Sequence, residues 1–567
     1  MTNKEIAQLF KYTAALLEIH DENPFKIRTY TNAVFNIENQ EDQLIGKNTQ
    51  ELESLDGIGK SLAKSISSIL ETGTFDLLED LKRKTPDGIQ EMIDLKGIGP
   101  KKIRAIWKEL HIENTDQLYQ ACENGEIAKL KGFGEKTQET IRENLAYIFS
   151  QRGKVFYAEA EPFAQQLMQL LSENLDLKHI AMTGELRRKS ETIHCVEVIV
   201  AKENPEEAID LLEKSGAYEI SPESGPFTLR GKFTDIELKW LVRFVSPEHF
   251  ESKLMLFTGS GNHLSKVVKD NLCLHQYLLE NPETTEGEAY DAFDMPFIPP
   301  ELREGTFEIE FSNEKPVPDL LEEKDLKGPI HNHSKYSDGK NTIRELAQYC
   351  IDRGYEYLGL SDHSKSAFYA NGLREFDIKK QHDEIDQLNA ELSPFKIFKG
   401  IESDILSDGS LDYDKDVLAS FDFIVASIHS NLNMEIEKAT TRLLKAIENP
   451  YTTILGHPTG RLLLKRQGYP IDHQKVIDAC AKYGVIIEIN ANPWRLDLDW
   501  RWVHYALEKG VTLSINPDAH ELEGFEDMKY GVYVGRKGGL TKDMTFNTWD
   551  LDKVESYLED RKAKIKA

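Results

Sequence analysis

The rhythm of apolar positions changes along this chain, and the changes divide it. Residues 1–50 read as amphipathic helices, and Asn23-Pro24-Phe25 marks a turn before a helix carrying Lys26 and Arg28. Between residues 151 and 315, helical and strand patterns alternate. Strands are predicted over 180–183, 196–200 and 233–245, with a two-proline loop at 297–303. Residues 313–327 are polar, charged and proline-containing, and read as a linker. From 328 onward short apolar runs recur, separated by helix-length segments: 328–330, 357–360, 395–400, 421–427, 453–455, 485–489 and 511–515. Strands alternating with helices predict a parallel α/β barrel.

The 567 residues suggest several domains. At 40% hydrophobic and 29% charged, the chain has an ordinary globular balance. No apolar run is long enough to span a bilayer, and no secretory leader opens the sequence, so no membrane partner is expected. Five cysteines without CxxC spacing argue against a disulfide framework or a thiolate zinc site, and make a reducing cytoplasm the expected compartment. The formal charge of −28 makes non-specific nucleic-acid binding poor, unless local basic patches or backbone amides supply it.

Such patches exist. Gly57-Ile58-Gly59-Lys60, Gly97-Ile98-Gly99-Pro100-Lys101-Lys102 and the weaker Gly132-Phe133-Gly134 repeat one design: an apolar residue, G-h-G, then a helix. The glycines permit a tight turn and close approach of another backbone. The helix behind each turn offers free N–H groups to a phosphate. From Lys96 to Lys108 there are five basic residues and no acidic one. The bland alternative is a set of glycine-capped turns, which three copies with lysines nearby make less favourable. The repeats resemble the helix-hairpin-helix motif, which grips the DNA backbone without reading sequence.

The barrel half carries the chemistry. After its predicted strands come His331, His333 and Asp338; Asp362 and His363; Glu402; His429; His457; Asn490 and Asn492; and Asp518 and His520. In a parallel barrel these ends meet on one rim. Six imidazoles and three carboxylates so gathered need cations to hold them. That donor set, lacking thiolate, suits Zn²⁺, Mn²⁺ or Fe²⁺, and its size suits two or three ions. Arg461 is a candidate phosphate clamp, and Asp362 a candidate orienting residue.

This half closely resembles the PHP (polymerase and histidinol phosphatase) domain, a distorted (β/α)₇ barrel of metal-dependent phosphoesterases. The resemblance implies that His331, His333, Glu402 and Asp518 hold one ion. Glu402 would bridge to a second ion held by His429 and His457, while Asp338, His363 and His520 would hold a third. Divalent cations so held activate water and neutralise phosphate oxygens.

The order of parts, with NPFKIRTY, GIGPKKI, Phe257-Thr258-Gly259-Ser260 and FIPPELREG, resembles the bacterial family X DNA polymerases. The implied architecture is multidomain. A helical domain with the first helix-hairpin-helix (1–80) precedes helix-hairpin-helix fingers (81–150). An α/β nucleotidyltransferase-like palm (151–245), a thumb (246–315), a linker (316–327) and the PHP barrel (328–567) follow. The palm departs from the family pattern. Gly184-Glu185-Leu186-Arg187-Arg188 has glutamate where the family has serine, and Cys195 and Glu197 stand where it has two aspartates. Glu237 is matched to the third aspartate, with Asp235 on the same predicted strand face. Thiol is a poor Mg²⁺ ligand, and each glutamate displaces a metal by about an ångström. Mg²⁺ and dNTP binding at the palm are therefore disfavoured.

The expected function is a metal-dependent 3′→5′ exonuclease or phosphoesterase acting in DNA repair on gapped or 3′-ended DNA, irrespective of sequence, as a monomer. The alternatives are a gap-filling polymerase with an ancillary nuclease, a non-catalytic DNA-end scaffold and a small-molecule phosphatase.

Overall fold

The computed structural model describes residues 3–38, 40, 43–55, 57–95, 97–269, 271–314 and 317–566. Asp56 and Lys96, next to two of the glycine turns, lie outside the described residues. The chain forms two compact units, Met1–Arg152 and Gly153–Ala567.

The first unit is helical and holds two cores. Helices Asn3–Ile19, Pro24–Glu38 and Lys60–Thr72 bury Phe10, Tyr30 and Phe75, whose rings touch. Asn23 caps the helix that follows it, its Oδ1 accepting from the Phe25 amide at 2.9 Å. The second core gathers Ile103, Trp107, Leu118, Ile141 and Leu145 from helices Pro100–Leu110, Thr115–Glu123 and Glu135–Gln151. The three glycine turns share one geometry. Gly57, Gly97 and Gly132 have φ of 75°, 91° and 85°, which a side chain would strain. Gly59, Gly99 and Gly134 cap the next helix without a side-chain hydrogen bond.

In the second unit a five-stranded sheet comes first: β1 (Ile180–Met182), β2 (Cys195–Ala201), β3 (Tyr218–Ile220), β4 (Thr228–Phe233) and β5 (Lys239–Val245). Their spatial order is β1-β2-β5-β4-β3, with only β2 and β5 parallel. The strand predicted over 233–245 is in fact the last residue of β4, a turn and the whole of β5. Apolar alternation continues through Thr234-Asp235-Ile236-Glu237-Leu238, but the Phe233 amide bonds back to the Leu238 carbonyl at 3.0 Å and closes a hairpin. A helical subdomain follows, with a core of Met255, Leu264, Tyr290, Phe293 and Ile298.

The barrel has six parallel strands in sequential order: β6 (Tyr357–Leu360), β7 (Lys396–Asp404), β8 (Phe423–Ser427), β9 (Ile454–Leu455), β10 (Ile486–Asn490) and β11 (Leu513–Asn516). Strands β6, β8, β10 and β11 are buried at every position, which suits their mostly apolar sequences, while β10 and β11 also bury polar residues such as Glu488 and Asn516. The first of the seven predicted strands, 328–330, is not a regular strand. The segment still closes the barrel. Pro329 and Asn332 carbonyls accept from Gly359 and Ser361 on β6's side, and the His333 amide donates to Ala519 beyond β11. Pro329 lacks a donor, and a side chain at position 328 would meet the Tyr357 carbonyl at 2.3 Å. The predicted linker is packed rather than free across its described part. Leu320, Leu321 and Leu326 are buried, and the Leu321 amide donates to Leu540.

Candidate metal centre at the barrel rim

The rim collects all nine sequence-predicted ligands. His331 and His333 lie two apart on extended backbone, so both rings face the same side while the Asn332 side-chain amide donates to the Gly359 carbonyl on the other. Glu402 sits within β7 rather than after it, since that strand runs on to Asp404. Its carboxylate is central, with His457 Nε2 at 3.0 Å, His429 Nε2 at 3.2 Å and His331 Nε2 at 3.4 Å. His333 Nε2 lies 3.0 Å from Asp518, and Asp338 lies 3.3 Å from His520 and 3.6 Å from His363. The His333 ring stacks on His520 at 4.1 Å between centroids and meets His363 in a tilted contact at 4.4 Å. Asp518 holds a left-handed backbone at φ 53°, a conformation uncommon for a non-glycine residue.

Three ligand groups emerge: His333, Asp338, His363 and His520; His331, His333 and Asp518; and His363, Glu402 and His429. Buried within them, His331 Nε2, His333 Nδ1 and Glu402 Oε2 have no hydrogen-bond partner. Polar atoms orphaned this way are costly, and divalent cations are the partners their chemistry fits.

Electrostatics give the same picture. Burial pushes His331 down, but Glu488, Glu402 and Asp518 outweigh it and hold the imidazole well above its ordinary range. Burial likewise opposes Glu402, yet His429, His331 and His363 keep its carboxyl well below the usual range. His429 rises to about 10 because Glu402 and Asp404 outweigh its burial. His333 falls to about 3, through burial and then the neighbouring His520 and His363.

Two carboxylates that sequence reading missed orient these ligands. Glu488 on β10 holds His331 Nδ1 at 2.7 Å, and accepts from the His457 amide and Asn516 Nδ2. Asp404 holds His429 Nδ1 at 2.5 Å. Each fixes the far nitrogen and turns Nε2 toward Glu402. The available signal was Ile487-Glu488-Ile489, a carboxylate inside a fully buried strand. Asp362 accepts from the Ser334 amide, the Ser334 and Ser337 hydroxyls and Gln381, and so pins the loop leading to Asp338.

Arg461 corrects the sequence reading. It does not reach the ligands as a phosphate clamp. Its guanidinium is buried, donating to Glu191 of the palm, to Asp499, and to the Arg495 and Leu496 carbonyls, so every nitrogen is committed. Proximity to His457 in sequence did not reveal that the side chain turns away. Arg495 instead points at the cluster, its Nε 3.7 Å from Asp518.

The palm also departs from expectation. Glu237 and Asp235 lie in the hairpin turn, exposed, and Glu237 lies 4.0 Å from Lys232. The residue level with Glu197 on β5 is Leu241, so no carboxylate faces it. Glu197 pairs with Arg243 at 2.5 Å, and Glu185 accepts from the His194 amide at 2.7 Å. Burial and then Glu197 push the Cys195 thiol up to about 12. Arg187 is held bidentately by Glu286 at 2.7 Å, and Arg188 by Glu304 at 3.1 Å.

In the helical unit, Gly57, Gly59, Gly97, Gly99, Gly132 and Gly134 are all exposed, as are Lys60 and Lys101. Their neighbours temper the basic patch: Lys101 lies 3.8 Å from Glu18, and Arg104 pairs with Asp21. Lys102 reaches back over the Phe133 ring of the third turn. No described helix is long and apolar enough to cross a membrane.

Comparison with known proteins follows this division. A helix-hairpin-helix domain model matches residues 1–75, a SAM-like helix-hairpin-helix tandem matches 89–146, and a PHP domain matches 329–492. A probable phosphatase of Thermoanaerobacter sp. is 30% identical over 41% of the chain and 95% of its own length. One of Caldanaerobacter subterraneus is 26% identical over 40% of the chain and 87% of its own length. The DNA polymerase/3'-5' exonuclease PolX of Bacillus subtilis is 36% identical over 99% of the chain and 100% of its own length. With that similarity end to end, the chain belongs to the bacterial family X polymerases that carry a C-terminal PHP domain.

Proposed function

We propose that the chain is a metal-dependent phosphodiesterase that shortens DNA from 3′ ends during repair, with a palm that no longer polymerises. The observation that carries this reading is the convergence of nine ligand side chains with orphaned buried atoms, in one chain with three exposed glycine turns. His331, His333, Glu402, Asp518, His429, His457, Asp338, His363 and His520 would hold two or three Mn²⁺, Zn²⁺ or Fe²⁺ ions. Such ions supply water activation and neutralise a phosphate. Glu488 and Asp404 keep the imidazole nitrogens aimed inward, and the glycine turns present backbone amides to phosphates. The relative's printed activities support both halves of the comparison. The palm's own residues argue against its polymerase half. Leu241 and Cys195 leave Glu197 alone, and Glu197, Arg187 and Arg188 are already paired.

The test is one 5′-labelled gapped DNA with Mn²⁺, with and without dNTPs, comparing wild type, His331→Ala and Glu197→Ala. Shortening lost only in His331→Ala, with no extension in any lane, is the expected result. Extension dependent on Glu197 would establish an active gap-filling polymerase. Intact DNA in every lane would refute the nuclease reading.

A further inference from the structure

Arg495, and not Arg461, is the arginine that reaches the rim. The loop between β10 and the helix Trp500–Glu508 carries Trp494, Arg495 and Leu496. Its backbone is tied down at many points. The Arg495 and Leu496 amides donate to the Asn492 carbonyl at 2.8 and 3.0 Å, Asn492 Oδ1 accepts from the Trp494 amide, and the Leu463 amide donates to the Trp494 carbonyl. Leu496 is left-handed at φ 46°, a conformation that costs free energy for a branched residue. What stabilises it is the buried Arg461 guanidinium, which donates directly to the Arg495 and Leu496 carbonyls. Arg461 is itself neutralised by Asp499 on the barrel and Glu191 on the palm. Beside this contact, Trp494 stacks on Phe156 of the palm at 5.4 Å.

The product of this arrangement is one side chain. Arg495 is part-buried at the rim, and its Nε stands 3.7 Å from Asp518, beyond hydrogen-bonding range. Tyr369, whose ring lies 6.2 Å from His363, shares that mouth. This guanidinium is ion-paired with Asp518 through Nε, and no hydrogen bond from its two Nη atoms to a carboxylate is found among the described residues, so they are suited to receive two non-bridging phosphate oxygens.

We propose that Arg495 binds the scissile phosphodiester, and that Glu191 of the palm, acting through Arg461, is a positioning residue for it. This rests on the phosphodiesterase reading. It gives the palm a task in the barrel's reaction: its carboxylate fixes the loop that places the phosphate-binding arginine.

The test uses the full chain with Mn²⁺ and an oligonucleotide substrate. Arg495→Ala is expected to lower kcat/KM by about 100-fold, the scale of one lost electrostatic donor. Bound Mn²⁺, measured by elemental analysis, should be unchanged. Arg495→Lys should recover part of the loss, and added guanidinium should rescue the alanine variant. Glu191→Gln should cost about 5- to 10-fold in the wild-type background and nothing further in Arg495→Ala, because coupled residues are not additive. Binding of a fluorescein-labelled phosphorothioate tetrathymidylate, read by anisotropy in Ca²⁺ and again in EDTA, should weaken at least fivefold in Arg495→Ala. Wild-type kcat/KM and tetranucleotide affinity in Arg495→Ala would overturn the assignment. A Glu191→Gln loss that persists in full in the Arg495→Ala background would overturn the coupling. If wild type hydrolyses no phosphodiester, the functional reading fails, and the anisotropy still decides whether Arg495 binds phosphate.

Discussion

The barrel rim and the palm sheet are built from similar materials, ionisable side chains on neighbouring parallel strands, and they end in opposite electrostatic states. On the rim, imidazoles and carboxylates converge, and buried nitrogen and oxygen atoms stay without partners. On the palm, three charges at the expected catalytic positions have internal partners: Glu197 has Arg243, Arg187 has Glu286, and Arg188 has Glu304. A site that must bind an ion keeps its donors open, because pairing them would satisfy the demand a ligand should meet. A site released from that demand is free to neutralise itself. Open donors on the rim against closed pairs on the palm are the contrast on which the proposed division of labour rests.

The largest effect that tests this contrast is loss of the central carboxylate. Glu402→Ala should lower phosphodiester hydrolysis by roughly 10³-fold or more, since it removes a ligand facing three imidazoles. Glu197→Ala, measured in the same assay, should leave the rate within about twofold. Equal losses in the two would erase the distinction. Next comes Glu488→Gln, expected to cost about 10- to 100-fold in metal affinity or rate by freeing the His331 ring. Titrating activity against Mn²⁺ reads it, and an unchanged midpoint and maximum would remove Glu488 from the orienting role. Chelation should then lower the melting temperature by about 5 °C, because bound ions stabilise only the folded barrel. An EDTA-treated sample melting with the untreated one would mean the rim needs no ion. The smallest effect belongs to the palm. Glu197→Ala should change stability by under about 1 kcal/mol, as expected for a partly exposed pair. Cys195, with its thiol held near 12, should react with a disulfide reagent far more slowly at pH 8 than an unfolded control.

Much of the rim was legible in the order of residues alone. Each ligand follows or ends an apolar run, and parallel topology brings such ends together. The glycine turns were legible for a similar reason, since positive φ and an uncapped helix start are local demands. Three readings failed where local pattern and long-range pairing diverge. Alternation ran on through a hairpin, and so put Glu237 on a strand it does not occupy. The 313–327 segment looked like a linker because it is polar, charged and proline-containing, yet Leu320, Leu321 and Leu326 are buried. Arg461 looked like part of the site because it follows His457.

The sequence by itself determined the order of parts, the imidazoles and carboxylates that gather on the barrel rim, and the presence of Cys195 and Glu197 on the palm strand. These depend on residue type, spacing and strand polarity, which short stretches of chain encode. Only the tertiary structure decided what each charge faces. Glu488 meets His331 across 157 positions and Arg461 meets Glu191 across 270, and Leu241 lies beside Glu197 only through strand register. A hydrogen bond or contact ion pair requires its partner within about 3 to 4 Å, so the partner that sets a residue's role is defined by packing rather than by its neighbours in sequence.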